Sequence, residues 1–462
     1  MFSKDTYVAR RRNLKNNVKQ GVLLFPGNGE SSMNYKDNWY PFRQDSSFLY
    51  YTGINNIANI YFLIDIDNNR EILFGDDPTP EEMVWTGAVE PLAVFAEKSG
   101  ISTVKSIRDL PSFLKDQKQK GRNVHYLPPY RSEITVELST FLDIPVQEVH
   151  NKKSETFIKA VVNQRSVKSS EEIKELHKAV NITAEMHKYA IINAVPGKTE
   201  KEIAGDLQAI AIGGGGNISF PIILTKNGQY LHNHATNAVI EEGDIILCDC
   251  GAETAMNYAG DMTRTFPAGR AFSPLQKEIY NIVLSAHNTA IEALKPGVFF
   301  KDVHLLASTK LAEGLKEIGL MKGDIKEAVA AGAHSLFFQC GLGHQMGMDV
   351  HDMENLGEQY VGYTEDLKKS TEFGLKSLRL GKSLESGYVL TVEPGLYFNP
   401  FLIDSWKEQN KYTDFVNYDE IEKFRDFGGI RVEEDFIITE TGSQLLGDPL
   451  AKTPEDIENL KH

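Results

Sequence analysis

Four carboxylates and one imidazole have residue types and local settings suited to a metal site. The five are Asp249, Asp261, His344, Glu393 and Glu433. The segments IILCDCG and NYAGDMTRTF, which carry Asp249 and Asp261, read as two strands joined by a short turn. If this hairpin pairs about Ala255, the two carboxylates lie opposite each other, with Cβ atoms about 4.5–5.5 Å apart. Such like charges repel unless a cation lies between them, although a surface hairpin with two solvated acids is the simpler alternative.

The flanking Ile245 and Leu247 favour burial of Asp249, and a buried aspartate needs a partner. Glu393 and Glu433 form a second pair, in LTVEPG and GGIRVEED. A single histidine is most often structural, but His344 lies in the glycine-rich segment CGLGHQMGMDVHD. Two divalent cations would neutralise the four carboxylates, leaving one bridging hydroxide as the excess charge. Oxygen-rich ligation with one nitrogen suits Mn²⁺, or Co²⁺ or Fe²⁺, better than a structural Zn²⁺ site.

The elements that must position these residues differ between the two parts of the chain. Runs such as GVLLFPG (21–27), SFLYYTG (47–53) and IYFLIDID (60–67) predict strands in a mixed α/β region. From Ser169, apolar residues recur at helical spacing behind a Ser-Ser-Glu-Glu start typical of a helix cap. We therefore expect a boundary near 160–170 and domains at 1–165 and 166–462. Cys248 and Cys250 flank Asp249 on the opposite strand face and are expected in the core.

The second part repeats itself. Two helical stretches, at 192–207 and 292–307, each contain a Pro-Gly turn. Two strand entries follow the same scheme: EEGDIILCDCG carries Asp249, and ESGYVLTVEPG carries Glu393 at an offset of 144 residues. This pattern predicts a duplicated α-α-β-β unit in which the two carboxylates face each other across a pseudo-twofold axis.

Composition excludes some partners and favours a compartment. The 49 Lys and Arg against 64 Asp and Glu give a net charge of -15, which disfavours nucleic acid or anionic membrane as the main partner. Three cysteines in 462 residues argue against a disulfide framework. The N-terminal segment has no apolar core typical of a secretory signal, and no apolar run approaches a membrane span. We expect a cytoplasmic protein.

The motifs that carry these residues resemble, in order and sequence frame, those of the "pita-bread" metallopeptidases. The branch they resemble contains Xaa-Pro aminopeptidase (aminopeptidase P) and Xaa-Pro dipeptidase (prolidase). YAGDMTRTFP, GLGHQMGMDVHD, VLTVEPGLYF and GGIRVEEDFIITETG resemble the catalytic domain, and YPFRQDSSFLYYTG (40–53) resembles the N-terminal domain. The resemblance implies an α+β protein: a ribonuclease H-like α/β domain for access and dimerisation, then a catalytic pita-bread domain.

The resemblance also implies roles for individual residues. Asp249 would bind one metal, His344 and Glu393 the other, and Asp261 and Glu433 would bridge the two. The implied catalytic set is His232, His351, Glu393 and Arg431; the two histidines contact substrate near the reacting carbonyl, while Arg431, like Thr263, orients ligand carboxylates. Two departures stand out. The Asp–Asp spacing is one residue longer than is usual in the family, and Cys340 stands where the family usually has histidine.

The implied activity is hydrolysis of the bond between an N-terminal residue and a following proline, by a hydroxide generated on two Mn²⁺ ions. Glu393 would carry the proton to the departing nitrogen, and His232 or His351 would help to stabilise the oxyanion. GLKSLRLGKSL (374–384) instead resembles prolidase and makes Xaa-Pro dipeptidase the alternative. Remoter alternatives are a creatinase-like amidinohydrolase, a non-catalytic binding module on the same fold and a methionine aminopeptidase.

Two further residues bear on substrate choice. Arg379 lies in the prolidase-like segment, where the resemblance implies an arginine that reads the free C-terminal carboxylate of a dipeptide. The alternative is a surface arginine in a charged stretch. Trp85 lies in EEMVWTGAVEP, which resembles a family segment that reaches a neighbouring subunit's site; the alternative is packing under its own loop. We expect a homodimer or a higher homo-oligomer acting on short proline-containing peptides.

Overall fold

The structure, a computed structural model, describes residues 1–461 and divides them into two compact units. The first unit comprises Met1–Arg165 together with Asn355–Tyr360, and the second comprises Ser166–Glu354 and the chain from Val361 onward. None of the helices in the described chain is long and apolar enough to span a bilayer.

The first unit is built on one five-stranded sheet. Its strands are β1 (Val22–Pro26), β2 (Tyr61–Asp65), β3 (Arg70–Phe74), β4 (Thr103–Lys105) and β5 (Val124–Tyr126). Their order is β4-β3-β2-β1-β5; β1, β2 and β3 form an antiparallel meander, β5 runs parallel to β1 and β4 parallel to β3. The helices of this part are α1 (Lys4–Val18), α2 (Ser46–Thr52), α3 (Pro80–Thr86), α4 (Leu92–Ser99), α5 (Leu110–Gln119), α6 (Ser132–Leu142) and α7 (Glu155–Ser166).

The strand prediction for 47–53 is wrong, because this segment forms helix α2. The Asp45 carboxylate accepts the N–H of Phe48 at 2.8 Å and so caps the first turn. Gly53, with φ of 72°, ends the helix, and a Cβ there would lie 2.4 Å from the Tyr7 ring. All seven helical residues are buried. A short helix buried on every side has no polar face, so its sequence reads like a strand.

The second unit contains longer helices and short strands. The helices that follow residue 166 are α8 (Ser170–Asn193), α9 (Glu200–Gly213), α10 (Pro274–Ala293), α11 (Phe300–Glu317), α12 (Ile325–Ala331), α13 (Glu358–Val361), α14 (Pro400–Glu408), α15 (Tyr418–Ile421) and α16 (Pro454–Leu460). The strands are β6 (Ile223–Thr225), β7 (Ile245–Cys250), β8 (Met262–Pro267), β9 (Val389–Val392), β10 (Gly395–Tyr397), β11 (Gly429–Arg431), β12 (Glu434–Ile438) and β13 (Ser443–Leu445). They form sheets ordered β6-β7-β8, β13-β12-β9 and β10-β11.

The predicted helix after Ser169 is present as α8. The Ser169 side chain accepts the N–H of Glu172, and the Glu172 carboxylate accepts the N–H of Ser169 at 3.0 Å. This reciprocal capping box satisfies donors that the first helical turn leaves unpaired. The apolar face of α8 packs on β7 and β8, so this helix supports the strands that carry the candidate ligands.

The predicted duplication is visible in matching backbone hydrogen bonds. Helix pair α8–α9 is followed by β7, and pair α10–α11 is followed by β9. Between the helices of the first pair, Gly197 donates its N–H to the carbonyl of Ile240 at 2.9 Å; in the second pair Gly297 donates to Leu384, also at 2.9 Å. Both glycines have φ near 90°, the left-handed region that favours glycine. Each half therefore ties its helix turn to the segment that enters its main strand.

The register predicted for the β7–β8 hairpin is wrong by one position on each strand. Asp249 pairs with Thr263, and Cys250 pairs with Met262, whereas Asp261 precedes β8. The hairpin continues through the bridge Glu253–Ala259, so its centre is near 256 rather than at Ala255. The longer turn shifts the pairing. Asp249 and Asp261 still share a strand face, because paired positions and positions two apart face the same way.

Candidate metal centre

The five candidate ligands converge at the ends of strands in the second unit. Asp249 lies within β7, Asp261 directly precedes β8, and Glu393 directly follows β9. Glu433 lies between β11 and β12 and pairs with Thr263 in an isolated bridge. The loop that carries His344 is held against β9 by a bridge from Gln345 to Leu390. Residues far apart in sequence are thus brought together by strands from both halves.

The donor atoms are close enough for shared cations. His344 Nε2 lies 3.3 Å from Asp261 Oδ2 and 3.6 Å from Glu393 Oε1. One donor atom each from Asp261, His344 and Glu433 lie within 4.8 Å of one another. The Oδ1 atoms of Asp249 and Asp261 are buried and have no hydrogen-bond partner in residues 1–461. Buried carboxylate oxygens without a protein partner fit bound cations.

The imidazole of His344 is oriented for metal binding. Its Nδ1–H donates to the carbonyl of Gln345 at 3.1 Å, because a carbonyl can only accept. The Nε2 lone pair is therefore the one that faces Asp261 and Glu393. A histidine that donates its second nitrogen to a backbone carbonyl is the usual arrangement at metal sites, since this bond fixes tautomer and ring orientation.

The electrostatics of the cluster also call for cations. Burial, together with the charges of Asp261 and Glu393, raises the pKa of Asp249 to about 7, although Arg431 opposes the shift. Burial and the neighbouring carboxylates raise the pKa of Glu433 well above its ordinary value. Carboxylates crowded in this way resist ionising together unless positive charge is supplied. Four oxygen donors and one nitrogen suit Mn²⁺ or a similar divalent ion.

Arg431, on β11, makes hydrogen bonds that hold the ligand cluster in place. Its guanidinium donates to Asp249 through Nη2, to Thr263 Oγ1 at 3.0 Å through Nε, and to the Tyr397 hydroxyl at 2.9 Å through Nη1. Thr263 Oγ1 in turn donates to Glu433 Oε2 at 2.6 Å. One buried arginine thus orients ligands on both strands, in the carboxylate-orienting positions expected for Arg431 and Thr263.

The backbone of the loop that carries His344 lies in close contact with strand β9. Thr391 Oγ1 accepts the N–H of His344 at 3.2 Å and donates to Glu393 Oε1 at 3.3 Å. A Cβ on Gly343 would lie 2.1 Å from the carbonyl oxygen of Thr391, so only glycine fits there. The loop and β9 therefore hold two candidate ligands through one threonine.

The candidate ligands open onto a cavity of about 540 Å³. The other candidate site residues of this unit, His232, His351, Arg379 and Arg431, line the same cavity. Trp85 is not part of this group: it belongs to the first unit, on α3, and is 88% exposed. Helix α3 has no buried residue, so the alternative in which Trp85 packs under its own loop has no support.

Glu354 joins two of the residues that line the cavity, His351 and Arg379. His351 Nδ1–H donates to Glu354 Oε2 at 2.5 Å, and Arg379 Nε donates to the same oxygen at 3.2 Å. The His351 ring lies 4.3 Å from that of His344, centroid to centroid. Burial lowers the pKa of His351 to about 4, and the bond from His351 lowers the pKa of Glu354 to about 2. The carboxylate is thus ionised and the imidazole neutral near pH 7.

Cys340 lines the cavity where the family resemblance leads one to expect histidine. Its thiol lies 3.8 Å from the Tyr397 hydroxyl, and burial raises its pKa to about 12. The group is therefore a neutral thiol near pH 7, with a weaker hydrogen-bonding capacity than an imidazole.

Sequence reasoning missed three residues that position the others. Glu354 lies three residues after His351, and nothing in that short spacing distinguishes it from a surface acid. Tyr397 lies in the apolar segment GLYF, where a tyrosine is expected to be a core residue. Asp435, whose carboxylate accepts the N–H of Asp261 at 3.2 Å, lies two residues beyond Glu433. Strand alternation could have found Asp435, because residues two apart share a face.

Comparison with known proteins agrees with this geometry. Residues 174–440 match the model of metallopeptidase family M24, and residues 7–125 match that of the aminopeptidase P N-terminal domain. A probable Xaa-Pro aminopeptidase of Sordaria macrospora is 32% identical over 450 residues, covering 95% of this chain and 91% of that protein. The human Xaa-Pro dipeptidase is 31% identical over 456 residues, covering 96% and 89%.

Solved structures agree as well. A histidine-to-alanine variant of Escherichia coli aminopeptidase P superposes with a TM-score of 0.81 at 29% identity, over 100% of this chain and 98% of that one. The zinc-substituted form of that enzyme in complex with product gives a TM-score of 0.80. The fold is thus the expected α+β arrangement, with a pita-bread domain after an aminopeptidase P-type N-terminal domain. The chain is a metallo-exopeptidase that belongs to metallopeptidase family M24.

Proposed function

We propose that this protein is a manganese-dependent Xaa-Pro aminopeptidase, which removes an N-terminal residue that precedes proline. One observation carries the proposal: two buried carboxylate oxygens, on Asp249 and Asp261, lack partners within residues 1–461 and belong to a ligand set that opens onto a peptide-sized cavity. The names of the relatives support the Xaa-Pro specificity. Proline explains the need for a dedicated enzyme, because its tertiary amide offers no N–H to a general peptidase.

Two cations would be held by the five ligands as the family resemblance implies: Asp249 on one, His344 and Glu393 on the other, Asp261 and Glu433 shared. Such cations lower the pKa of water toward neutrality and polarise the scissile carbonyl. The chain's own contribution is orientation. Arg431 holds Asp249, Thr263 holds Glu433, and the Gln345 carbonyl fixes His344.

Glu393 is the best placed candidate ligand to move a proton. Its side chain is 19% exposed, against 12% for Asp249 and 7% for Asp261, so it faces the cavity most openly. Burial and the nearby Asp261 raise the pKa of Glu393, which His344 and Arg431 oppose. We assign to Glu393 the transfer of a proton from the attacking water to the departing proline nitrogen.

The two cavity histidines take different roles. The Nδ1–H of His351 is committed to Glu354, so its Nε2 offers a lone pair and can only accept. Within residues 1–461 His232 makes no such bond to a carboxylate, and partial desolvation together with the charge of Arg431 lowers its pKa. We therefore propose that His232 donates a hydrogen bond to the developing oxyanion, and that His351 accepts one from a substrate N–H.

A second candidate function, Xaa-Pro dipeptidase, is favoured by the position of Arg379. This arginine lines the cavity, with a side chain that is 30% exposed. Its Nε donates to Glu354, and a guanidinium can bind a carboxylate through two parallel hydrogen bonds. A dipeptide is the substrate that presents a free carboxylate next to the scissile bond.

The test is hydrolysis of three peptides by Mn²⁺-loaded enzyme: Ala-Pro-Ala-Ala, Ala-Pro and Ala-Ala-Ala-Ala. The aminopeptidase proposal expects alanine release from Ala-Pro-Ala-Ala and none from Ala-Ala-Ala-Ala. Cleavage of Ala-Pro alone establishes the dipeptidase instead. Cleavage of none, with two cations bound and the protein folded, contradicts both. Glu393→Gln is the matched inactive control.

We further propose that the first unit restricts access to the site and mediates a homodimer, and that the enzyme acts in the cytoplasm. The exposed Trp85 and Val84 on α3 support an interface with a second copy of the chain. The three cysteines are unpaired, as suits a reducing compartment.

A further inference from the structure

A second cluster of metal-binding side chains lies in the core of the second unit, away from the carboxylates. It consists of His187 on α8 and of Cys248 and Cys250 on β7, all three fully buried. The two cysteines alternate with Asp249 along the strand, so their thiols point to the opposite face. One donor atom from each of the three residues lies within 4.8 Å of the other two.

The spacing of the donor atoms matches tetrahedral coordination. The Sγ atoms of Cys248 and Cys250 are 3.8 Å apart, and Cys250 Sγ lies 3.5 Å from His187 Nε2. Bond lengths of about 2.3 Å for Zn–S and about 2.0–2.1 Å for Zn–N, at tetrahedral angles, require edges of about 3.8 Å and about 3.5 Å. Two of the three edges of the cluster therefore match those of a zinc site before any ion is bound, and the third, between Cys248 and His187, is within 4.8 Å.

The chemistry of the donors fits a soft cation. Two thiolates balance a divalent charge, so the loaded site adds no net charge to the core. His187 Nε2 lies 2.9 Å from the carbonyl of Met262, and Nδ1 has no hydrogen-bond partner in the described chain. Loading releases two thiol protons and moves the imidazole proton from Nε2 to Nδ1. The Met262 carbonyl then stands beside the ion.

We propose that His187, Cys248 and Cys250 form a third metal site, selective for thiophilic divalent cations such as Zn²⁺ or Cd²⁺ and distinct from the oxygen-rich centre. Thiolate ligands select such ions over Mn²⁺. The ion would join α8 to β7 directly behind Asp249. Because the donors are fully buried, it enters while the chain folds rather than afterwards.

The test uses the full chain expressed in minimal medium supplemented with Co²⁺, so that cobalt is present during folding. Thiolate-bound cobalt gives a charge-transfer absorption in the near ultraviolet, which carboxylate-bound cobalt lacks. We expect this absorption in the wild type. The double variant Cys248→Ala/Cys250→Ala should lack the absorption and should bind one cobalt fewer per chain. Cys340→Ala, which alters the third cysteine outside the cluster, retains the absorption.

Three results would overturn the proposal. One is a folded, cobalt-loaded wild type without thiolate absorption. Another is absorption that survives the double substitution. The third is a thiol titration of the unfolded chain that finds two thiols fewer than the three cysteines supply. Cys248 and Cys250 would then be oxidised to a disulfide and could not bind the ion. The wild-type spectrum and the thiol count do not depend on whether the double variant folds. His187→Leu supplies a second variant, expected to change the absorption.

Discussion

Arg379 and His351 bind the same oxygen of Glu354, at 3.2 and 2.5 Å, so the residue expected to choose the substrate is joined to one beside the metal ligands. The charge of Arg379 helps to keep Glu354 ionised. The ionised carboxylate in turn fixes the tautomer of His351. The residue that would recognise substrate length, Arg379, and the orientation of the His351 ring are therefore connected through the carboxylate of Glu354.

Arg379→Ala tests that connection. If Arg379 binds the C-terminal carboxylate of a dipeptide, kcat/KM for Ala-Pro falls by about 10- to 150-fold, the loss of about 1.5–3 kcal/mol from a charge-assisted bond. The loss for Ala-Pro-Ala-Ala is expected to be much smaller, reflecting only the disturbed Glu354. Steady-state kinetics on the two peptides measures the difference. Lys376→Ala, an exposed cation in the same segment, is the matched control. Equal losses on both peptides contradict the assignment.

Removal of the candidate ligands is expected to abolish turnover without unfolding the chain. Glu393→Gln and Asp261→Asn each remove a carboxylate charge from the cluster, and we expect metal content and activity to fall together. Circular dichroism checks the fold and elemental analysis the metal. Glu278→Gln, which changes an exposed carboxylate on α10, is the control and keeps both. Full activity in either ligand variant, or after complete chelation, refutes the metal centre.

Metal removal is also expected to lower stability. The carboxylates of the apo protein lose their counter-ions, whereas bound cations stabilise the folded state by about 2.7 kcal/mol at one hundred times the dissociation constant. The midpoint of thermal unfolding is therefore expected to be higher in Mn²⁺ than in chelator. Asp261→Asn reduces the gap. An identical midpoint in both conditions is the contrary outcome.

The buried pair Lys168–Asp352 is expected to hold the His344–His351 loop. Lys168 Nζ lies 2.9 Å from Asp352 Oδ2, and both side chains are 1% exposed. The Asp352 N–H donates to the carbonyl of Gln345, next to His344. Lys168→Met removes the cation from this buried pair and should lower stability by about 3–5 kcal/mol.

The double-mutant cycle separates the two effects of this pair. Lys168→Met/Asp352→Leu removes both charges and should recover much of the stability lost in Lys168→Met. It should not recover kcat, because the loop has lost its anchor. Denaturant unfolding and kcat are the two measurements. If kcat returns together with stability, the pair has only a structural role.

Acid lability is expected from His304. Burial lowers its pKa to about 3, with the charges of His334 and Lys301 adding to the effect, and neither ring nitrogen has a partner in the described chain. The unfolded chain takes up the proton below about pH 6.5, whereas the folded chain resists until about pH 3. Stability is therefore lost as pH falls through that window. Between pH 7 and 5 the loss from this residue is about 2 kcal/mol.

His304→Leu removes the titrating ring and keeps an apolar contact with Phe338, whose ring centroid lies 5.4 Å from that of His304. The variant should lose less stability than the wild type between pH 7 and 5. Denaturant midpoints at the two pH values measure this, and the pH 7 value of each protein is its own reference. Parallel losses in the two proteins show that the ring does not titrate as expected.

Trp85 is expected to act across a dimer interface. We predict a homodimer in solution in which Trp85 helps to close the partner's cavity. Trp85→Ala should weaken dimerisation by about 2 kcal/mol, as for a central aromatic interface residue, and raise KM. Sedimentation and kinetics measure the two effects. Trp39→Ala, at another exposed tryptophan of the same unit, is the control. A fully active wild-type monomer contradicts the interface.

The sequence predicted the parts of the site that depend on local pattern. The capping box at Ser169 and Glu172 marks α8 without knowledge of the rest of the chain. Asp249 and Glu393 are found because they occupy equivalent places in two similar strand entries. Their convergence could be predicted, since duplicated units pack about a common axis.

What failed depended on distant contacts or on a single inserted residue. The pairing of Asp249 with Thr263 depends on how the turn near 256 accommodates its extra residue, which alternation along the strands does not reveal. Helix α2 reads like a strand because tertiary burial covers all its faces. Glu354 is recognised only after folding, when Arg379, 25 residues later, reaches it.

The matched glycine turns record how the two halves have diverged. Gly197 and Gly297 differ by 100 positions, but their bonded partners Ile240 and Leu384 differ by 144, so this stretch is 44 residues longer in the second half. His351 and Arg379 both lie in that enlarged stretch, whereas Asp249 and Glu393 lie outside it. The same longer stretch carries His344, whereas all four candidate carboxylate ligands lie outside it. Sequence changes around His351 and Arg379 can therefore alter which peptides fit while the carboxylates stay unchanged.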